Sequence, residues 1–374
     1  MIITFQISCN QSRIPDDILI VGAYSDSSHQ GSIHFFAYFE DSNKVTEINI
    51  DGDTLIANAS FLDFNDSIIF AVQEQQPGYI NIIKYVFSNN EQNKVSLKRI
   101  QTLSAFGKDP CYIQLSPDHK ALAVANYSSG NFVLYNLNLN QTIDTAHIQT
   151  INFLGSGKDP IRQEMSHCHA VQFNTHYKQL FISDLGLDKI YIFNYQTTPF
   201  YSIPNKPTDS ISLNLLSGPR HFTFSKDNQF LFVVEELSGY LSIFKKFPNK
   251  WQEIDKVKLY ESEDERLILA SADIHISSDE KFIYVSNRIQ ENNIAVLLWD
   301  KEKQQASLVQ KIDVAGQTPR NFFITNNQKQ VWVANQNSNE VKLFLRDSVT
   351  GKLSPSKISF NVYKPAFVKS MYKK

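Results

Sequence analysis

The chain has 374 residues, enough for a large hydrophobic core. Hydrophobic residues at 42% and charged residues at 20% exclude a disordered chain, and 36 Lys+Arg against 38 Asp+Glu (formal charge -2) exclude a global basic field for nucleic acid. No run approaches the ~18 apolar residues of a membrane span.

The opening stretch, MIITFQISCNQSRIPDD, has no positive charge ahead of its short apolar run, so no signal peptide is expected. Cys9, Cys111 and Cys168 lie far apart, without disulfide or metal spacing, as in a reducing compartment. The expected location is cytoplasmic. Strand-like runs at 18–24 and 32–38 come first. Then one pattern recurs: an anchor residue, an alternating strand, a polar turn and an apolar strand. It occurs at 58–75, 109–130, 167–188, 218–240, 271–289 and 318–338, with a truncated copy at 364–369. The anchors are Ala59, Pro110, Cys168, Pro219, Ser271, Pro319 and Pro365, spaced by 51, 58, 51, 52, 48 and 46 residues. A period near 50 is the length of one four-stranded propeller blade.

Runs at 131–137, 189–195, 240–244 and 340–345 are expected to be outer strands, and no long stretch has helical periodicity. The last copy has only one strand, and the strands near the N-terminus have no partners. Pairing them closes the ring and removes exposed edges. The expected fold is therefore all-β: a single seven-bladed β-propeller over 1–374, with 1–14 as a loosely ordered extension.

The first strand of each blade lines the channel. The residue after each anchor therefore forms one ring: Ser60, Cys111, His169, Arg220, Ala272 and Arg320. The residue after each second strand forms another: Glu74, Tyr127, Leu185, Glu236, Arg288 and Gln336. His169, Arg220, Glu236 and Arg288 come from adjacent blades and bring a base, an acid and two fixed cations to one mouth. Such a set suits opening of an ester-like bond, with an imidazole or carboxylate taking a proton from water and guanidiniums holding an oxyanion or gripping an anion. GxSxG, Walker A, HExxH and repeated CxxC motifs are absent from the sequence. Taken alone, Arg220 and Glu236 are as readily an ion pair pinning one blade. His167 and His169 share a strand face, but no third metal ligand stands at a recognisable spacing, so neither metal nor cofactor is expected. His221 and His275 lie beside the rings and read as structural, as do Asn126, Asn287 and Asn335 at strand ends. The charged segment 260–266 reads as a solvated loop.

These residues carry a resemblance. VGAYS at 21–25, DPCYIQLSPD, RQEMSHCH, DLGLDKIYIF, GPRHFTFS, VSNR and TPRNFFI are similar to the lactonase family of seven-bladed propellers, over nearly the whole chain. The family includes 6-phosphogluconolactonases and carboxymuconate-lactonising enzymes. This chain departs from the family pattern at Ser166, at Ala59, and in the doubled Glu235–Glu236. The resemblance implies chemistry at His169 (or His167), Arg220, Glu236 and Arg288, with Arg162 and Gln163 as substrate contacts. His167, Glu74 and Arg320 complete the expected contacts. The implied activity is hydrolysis of 6-phosphogluconolactone. Glu236 or His169 activates water, Arg220 stabilises the oxyanion, and Arg288 and Arg162 hold the anionic tail. The expected partner is a small anionic lactone, with no nucleic acid and no membrane, and the chain is expected to be a monomer or weak homo-oligomer. A cycloisomerase using the same residues, a calcium-dependent propeller lactonase and a non-catalytic scaffold are the alternatives. Against a scaffold, the lone Trp-Asp dipeptide, Trp299–Asp300, falls outside the repeat position.

Overall fold

The computed structural model describes residues 14–53, 55–88, 94–260 and 268–371. Seven sheets, antiparallel apart from one added strand, form the seven blades of a β-propeller. The expected ordering of 1–14 and the solvated-loop reading of 261–266 fall outside the described residues, apart from Ile14. Tyr260, at the edge of that loop, is buried instead, and its hydroxyl contacts Arg288 O at 3.4 Å.

Blade four shows how sequence becomes structure. Pro219–Phe224, Phe230–Glu235, Tyr240–Phe247 and Lys250–Lys258 pair in chain order. The second strand is buried throughout and reads as a continuous apolar run, whereas the fourth is mostly partly exposed. The runs expected as outer strands are thus third strands. The outermost strands, such as Ile143–Asn152 and Gln305–Asp313, face solvent along much of their length and so carry a weak apolar pattern.

The ring closes as the spacing requires. Asp17–Ala23 lies between Pro365–Ser370 and Ile33–Phe39, with Leu19 opposite Ser370 and Ala23 opposite Pro365. This pairing gives the C-terminal strand, innermost in its blade, a partner from the N-terminal end of the chain and so closes the ring. Blade one gains a fifth strand, Asn49–Gly52, parallel to Lys94–Ser104.

Two local devices aim side chains at the channel mouth. First, blades two to six each contain a register shift beside the residue after the anchor. Pairing skips Cys111, His169, Arg220 with His221, Ala272 with Asp273, and Arg320. A β-bulge frees a residue from the ladder and re-aims its side chain. Second, the residue after each second strand donates its N–H back across the hairpin. Glu74 bonds Asn58 O, Tyr127 bonds Asp109 O, Leu185 bonds His167 O, Glu236 bonds Gly218 O, Arg288 bonds Ala270 O and Gln336 bonds Thr318 O. Six blades repeat this bond, which locks the two rings together. Gly218 needs no side chain for it: φ is +60°, and a Cβ would come within 2.5 Å of Leu237 Cγ.

Candidate active site

The bulged residues and second-strand ends converge on a funnel of about 420 Å³. Its wall includes Glu74, Arg162, His169, Arg220, Glu236, Arg288 and Arg320, together with Cys111, Tyr127 and Gln336. Ser60, Ala272 and Leu185, members of the expected rings, do not line it. Their side chains are small or apolar and fully buried in the blade packing.

Glu236 stands at the centre of the charge. Arg162 Nη2 donates to Oε1 at 2.5 Å, Arg220 Nε lies 2.8 Å from Oε2, and Arg288 Nη2 lies 3.1 Å from Oε2. The Arg220 contact is off the line of the N–H bond, so it is an ion pair rather than an aligned hydrogen bond. Burial opposes the carboxylate charge, but Arg288, Arg220 and Arg162 outweigh it and hold the Glu236 pKa at about 2. Burial and the neighbouring Arg288 lower Arg220 to about 10, which leaves it a cation at neutral pH. Glu235 points the other way. It is fully buried in the blade, where Lys256 Nζ contacts both its oxygens at 2.8 Å and Ser242 donates at 2.5 Å. The doubled acid therefore divides into one carboxylate in the funnel and one in the blade.

His169 faces the funnel as an uncharged base. Burial, then Arg220, His221 and Arg320, pushes its pKa well below 6.5. Its Nδ1 lies 3.9 Å from Cys111 Sγ, and Tyr127 meets its ring edge-on at 5.5 Å. Among the described residues no hydrogen bond engages its Nε2. His167 stands elsewhere. It stacks on Tyr127 at 4.3 Å, with Nδ1 3.0 Å from Tyr127 O and Nε2 3.3 Å from Glu164. Its Nδ1 is taken up by the Tyr127 carbonyl and it does not line the funnel, which corrects its expected role as a substrate contact.

Gln163 is a second correction. It is fully buried, donating to Leu185 O and Asp188 and accepting from the N–H groups of Lys158 and Asp159. With its amide fully engaged it braces the loop behind Arg162 and has no group left for a ligand.

Arg320 stands apart from the Glu236 cluster. Its Nη2 is 3.5 Å from Glu74, and its guanidinium lies 5.4 Å from the Tyr24 ring. Burial opposes its charge, but Tyr24 and Glu74 raise its pKa. Four guanidiniums against two carboxylates, with His169 neutral, leave the funnel a net charge of +2. Among the described residues no group of three His, Cys, Asp or Glu could hold a metal ion. The arrangement combines a neutral base, a guanidinium edge open to the funnel and surplus positive charge. It can deprotonate water, hold an oxyanion and bind an anion. Cys111 lines the funnel as its place in the first ring predicts, whereas Tyr24, which backs Arg320, is a contact that ring positions do not signal.

A family model described as "Lactonase, 7-bladed beta-propeller" matches residues 18–370. The 6-phosphogluconolactonase of Formosa agariphila is 30% identical over 345 residues, covering 90% of this chain and 94% of its own. That of Bacillus subtilis is 24% identical over 357 residues, covering 94% and 97%. The crystal structure of a candidate 6-phosphogluconolactonase from Bacteroides fragilis superposes with a TM-score of 0.84 at 28% identity, over 95% of this chain and 98% of the other. The periplasmic gluconolactonase of Pseudomonas aeruginosa, at 24% identity, 95% and 98% coverage and a TM-score of 0.83, shares the fold.

Proposed function

The chain belongs to the lactonase family of seven-bladed β-propellers, and on that premise we propose that it hydrolyses 6-phosphogluconolactone to 6-phosphogluconate. One observation carries the choice of a phosphorylated substrate: the funnel's net charge of +2. A phosphate monoester brings about −1.5 to −2 at pH 7, close to the charge that neutralises the funnel.

In this reading the work is divided among the funnel's residues. Glu236, clamped by three guanidiniums, is a poor proton acceptor, and its role is to fix those guanidiniums. His169 takes the proton from water as the water oxygen attacks the lactone carbonyl. Burial first, and then the surrounding positive charge, depress His169; an anionic substrate offsets the second of these and moves the imidazole toward a useful basicity. Arg220 receives the oxyanion of the tetrahedral intermediate. Collapse of the intermediate breaks the ring C–O bond, and the imidazolium returns its proton to the departing oxygen. In this reading Arg320, outside the Glu236 cluster, and Arg162, the most exposed of that cluster's arginines, hold the phosphate. A sugar phosphate does not cross a bilayer, which argues for a cytosolic site of action.

Comparing kcat/KM for 6-phosphogluconolactone and unphosphorylated glucono-1,5-lactone tests the substrate choice. Loss of a fully paired buried charge is worth roughly 10²-fold or more. A preference of that size is expected; equal values would move the assignment to a neutral lactone.

A further inference from the structure

Arg220 is held from two sides. Beyond Glu236, its Nη1 donates to Ala272 O at 2.7 Å and lies 3.2 Å from His221 Nε2. A guanidinium carries only donors, so His221 Nε2 accepts and the imidazole proton resides on Nδ1. That nitrogen lies 2.8 Å from Asp273 Oδ1. The other Asp273 oxygen is engaged as well. Asn321 Nδ2 donates to it at 2.5 Å, the Phe322 N–H at 3.3 Å, and His275 Nε2 lies 3.1 Å away. Arg220, His221, Asp273 and Asn321 are all buried.

The pair stands outside the funnel. His221 and Asp273 line a separate cavity of about 280 Å³ in the channel, whose wall shares no residue with the funnel. Arg220 is the partition: one edge contacts Glu236 and its Nη1 contacts His221. Among the described residues no hydrogen bond engages its Nη2, the group left for a ligand oxygen. The bulge in blade four turns Arg220 and His221 out of the ladder together, and the bulge in blade five does the same for Ala272 and Asp273. Both partners of the Arg220 Nη1 group are thus products of neighbouring bulges.

We propose that Asp273 and His221 are positioning residues for Arg220. Asp273 fixes the His221 tautomer, and His221 with Ala272 O fixes Nη1, so that Nη2 faces the reacting carbonyl. The role in turnover rests on the lactonase reading; the tautomer does not.

Asp273→Asn is the informative change. Three donors surround Oδ2, so the asparagine keeps its oxygen there and turns its NH₂ toward His221. Nδ1 must then accept, the proton moves to Nε2, and two donors face each other at Arg220 Nη1. With 15N-labelled histidine, the wild-type protein should show His221 protonated at Nδ1 and the variant at Nε2, with the Arg220 side-chain resonances displaced. On 6-phosphogluconolactone, kcat should fall about 10- to 100-fold with KM nearly unchanged, less than the 10²–10³-fold for loss of the oxyanion donor itself. In an Arg220→Ala background, Asp273→Asn should cost nothing further. A folded Asp273→Asn protein with wild-type kcat, or the same fold-loss with and without Arg220, would overturn the proposal, as would a wild-type His221 protonated at Nε2. If the tautomer and the Arg220 resonances switch as stated but the wild type lacks turnover above the spontaneous rate, the lactone reading falls and the positioning of Arg220 stands.

Discussion

Arg220 Nε stands 2.8 Å from Glu236 Oε2 across the mouth of one hairpin, with both residues almost completely buried. The contact joins the first and second rings of the propeller, and Arg162 and Arg288 reach the same carboxylate from blades three and five. Removing either member has opposite consequences for charge, and the two variants should behave differently.

Arg220→Ala removes the proposed oxyanion donor while Arg162 and Arg288 still neutralise Glu236. Turnover of 6-phosphogluconolactone should fall by roughly 10²–10³-fold, with a smaller change in KM. Steady-state kinetics on folded protein check this; unchanged kcat would remove Arg220 from the reaction.

Glu236→Gln leaves three guanidiniums around a neutral amide. Breaking a buried ion pair by removing one partner costs about 3–5 kcal/mol, so urea denaturation should show a clear loss of stability. Inorganic phosphate should restore part of it, since a ligand at 100 times its Kd contributes about 2.7 kcal/mol. An Arg220→Ala/Glu236→Ala protein removes both charges and should be less destabilised than Glu236→Gln.

Acid should unfold the protein in two stages of the same sign. Burial and then Arg220 lower His221 from 6.5 to about 4, so between those values the unfolded chain takes up a proton that the folded one refuses. Stability therefore falls as pH drops from 6.5 toward 4. Glu236 is lowered from 4.5 to about 2 despite its burial, because of Arg288, Arg220 and Arg162. Its contribution is complete above 4.5 and is lost as pH falls toward 2. His169, held well below 6.5, adds to the first stage. Chemical denaturation at pH 7.5, 5.5 and 3.5 should give successively lower free energies; a flat profile would contradict the buried cluster.

Gln163→Ala should lower thermal stability and leave the KM for the lactone nearly unchanged, because the amide is fully engaged in holding the loop. A large rise in KM with no loss of stability would return Gln163 to the substrate surface.

The blades and the ring closure could be read from the chain because their signals are local. The anchors recur near every 50 residues, and the second strands are buried on both faces, so each appears as an apolar run. The two rings could also be read, since equivalent positions in a repeat face the same way. The bulges could not. A register slip beside His169 or Arg220 leaves no composition mark, yet it turns those side chains into the channel. His221 looked structural because its partners, Arg220 Nη1 and Asp273, meet it only through adjacent bulges. His167 looked equivalent to His169 because alternation gives two residues on one strand face the same direction. Strand pairing, however, begins only at Cys168, so His167 lies before the strand and stacks on Tyr127 instead. Gln163 sits in a loop, where alternation and period say nothing about direction.

The central claim is that this funnel opens a phosphorylated lactone with Arg220 and Glu236 as its charged core. The most direct test is hydrolysis of freshly generated 6-phosphogluconolactone coupled to 6-phosphogluconate dehydrogenase, with EDTA present, for wild-type protein and the Arg220→Ala/Glu236→Ala variant. The account predicts wild-type hydrolysis well above the spontaneous rate and none above it in the folded variant. A wild-type rate equal to the spontaneous one, or a variant as active as wild type, would contradict it.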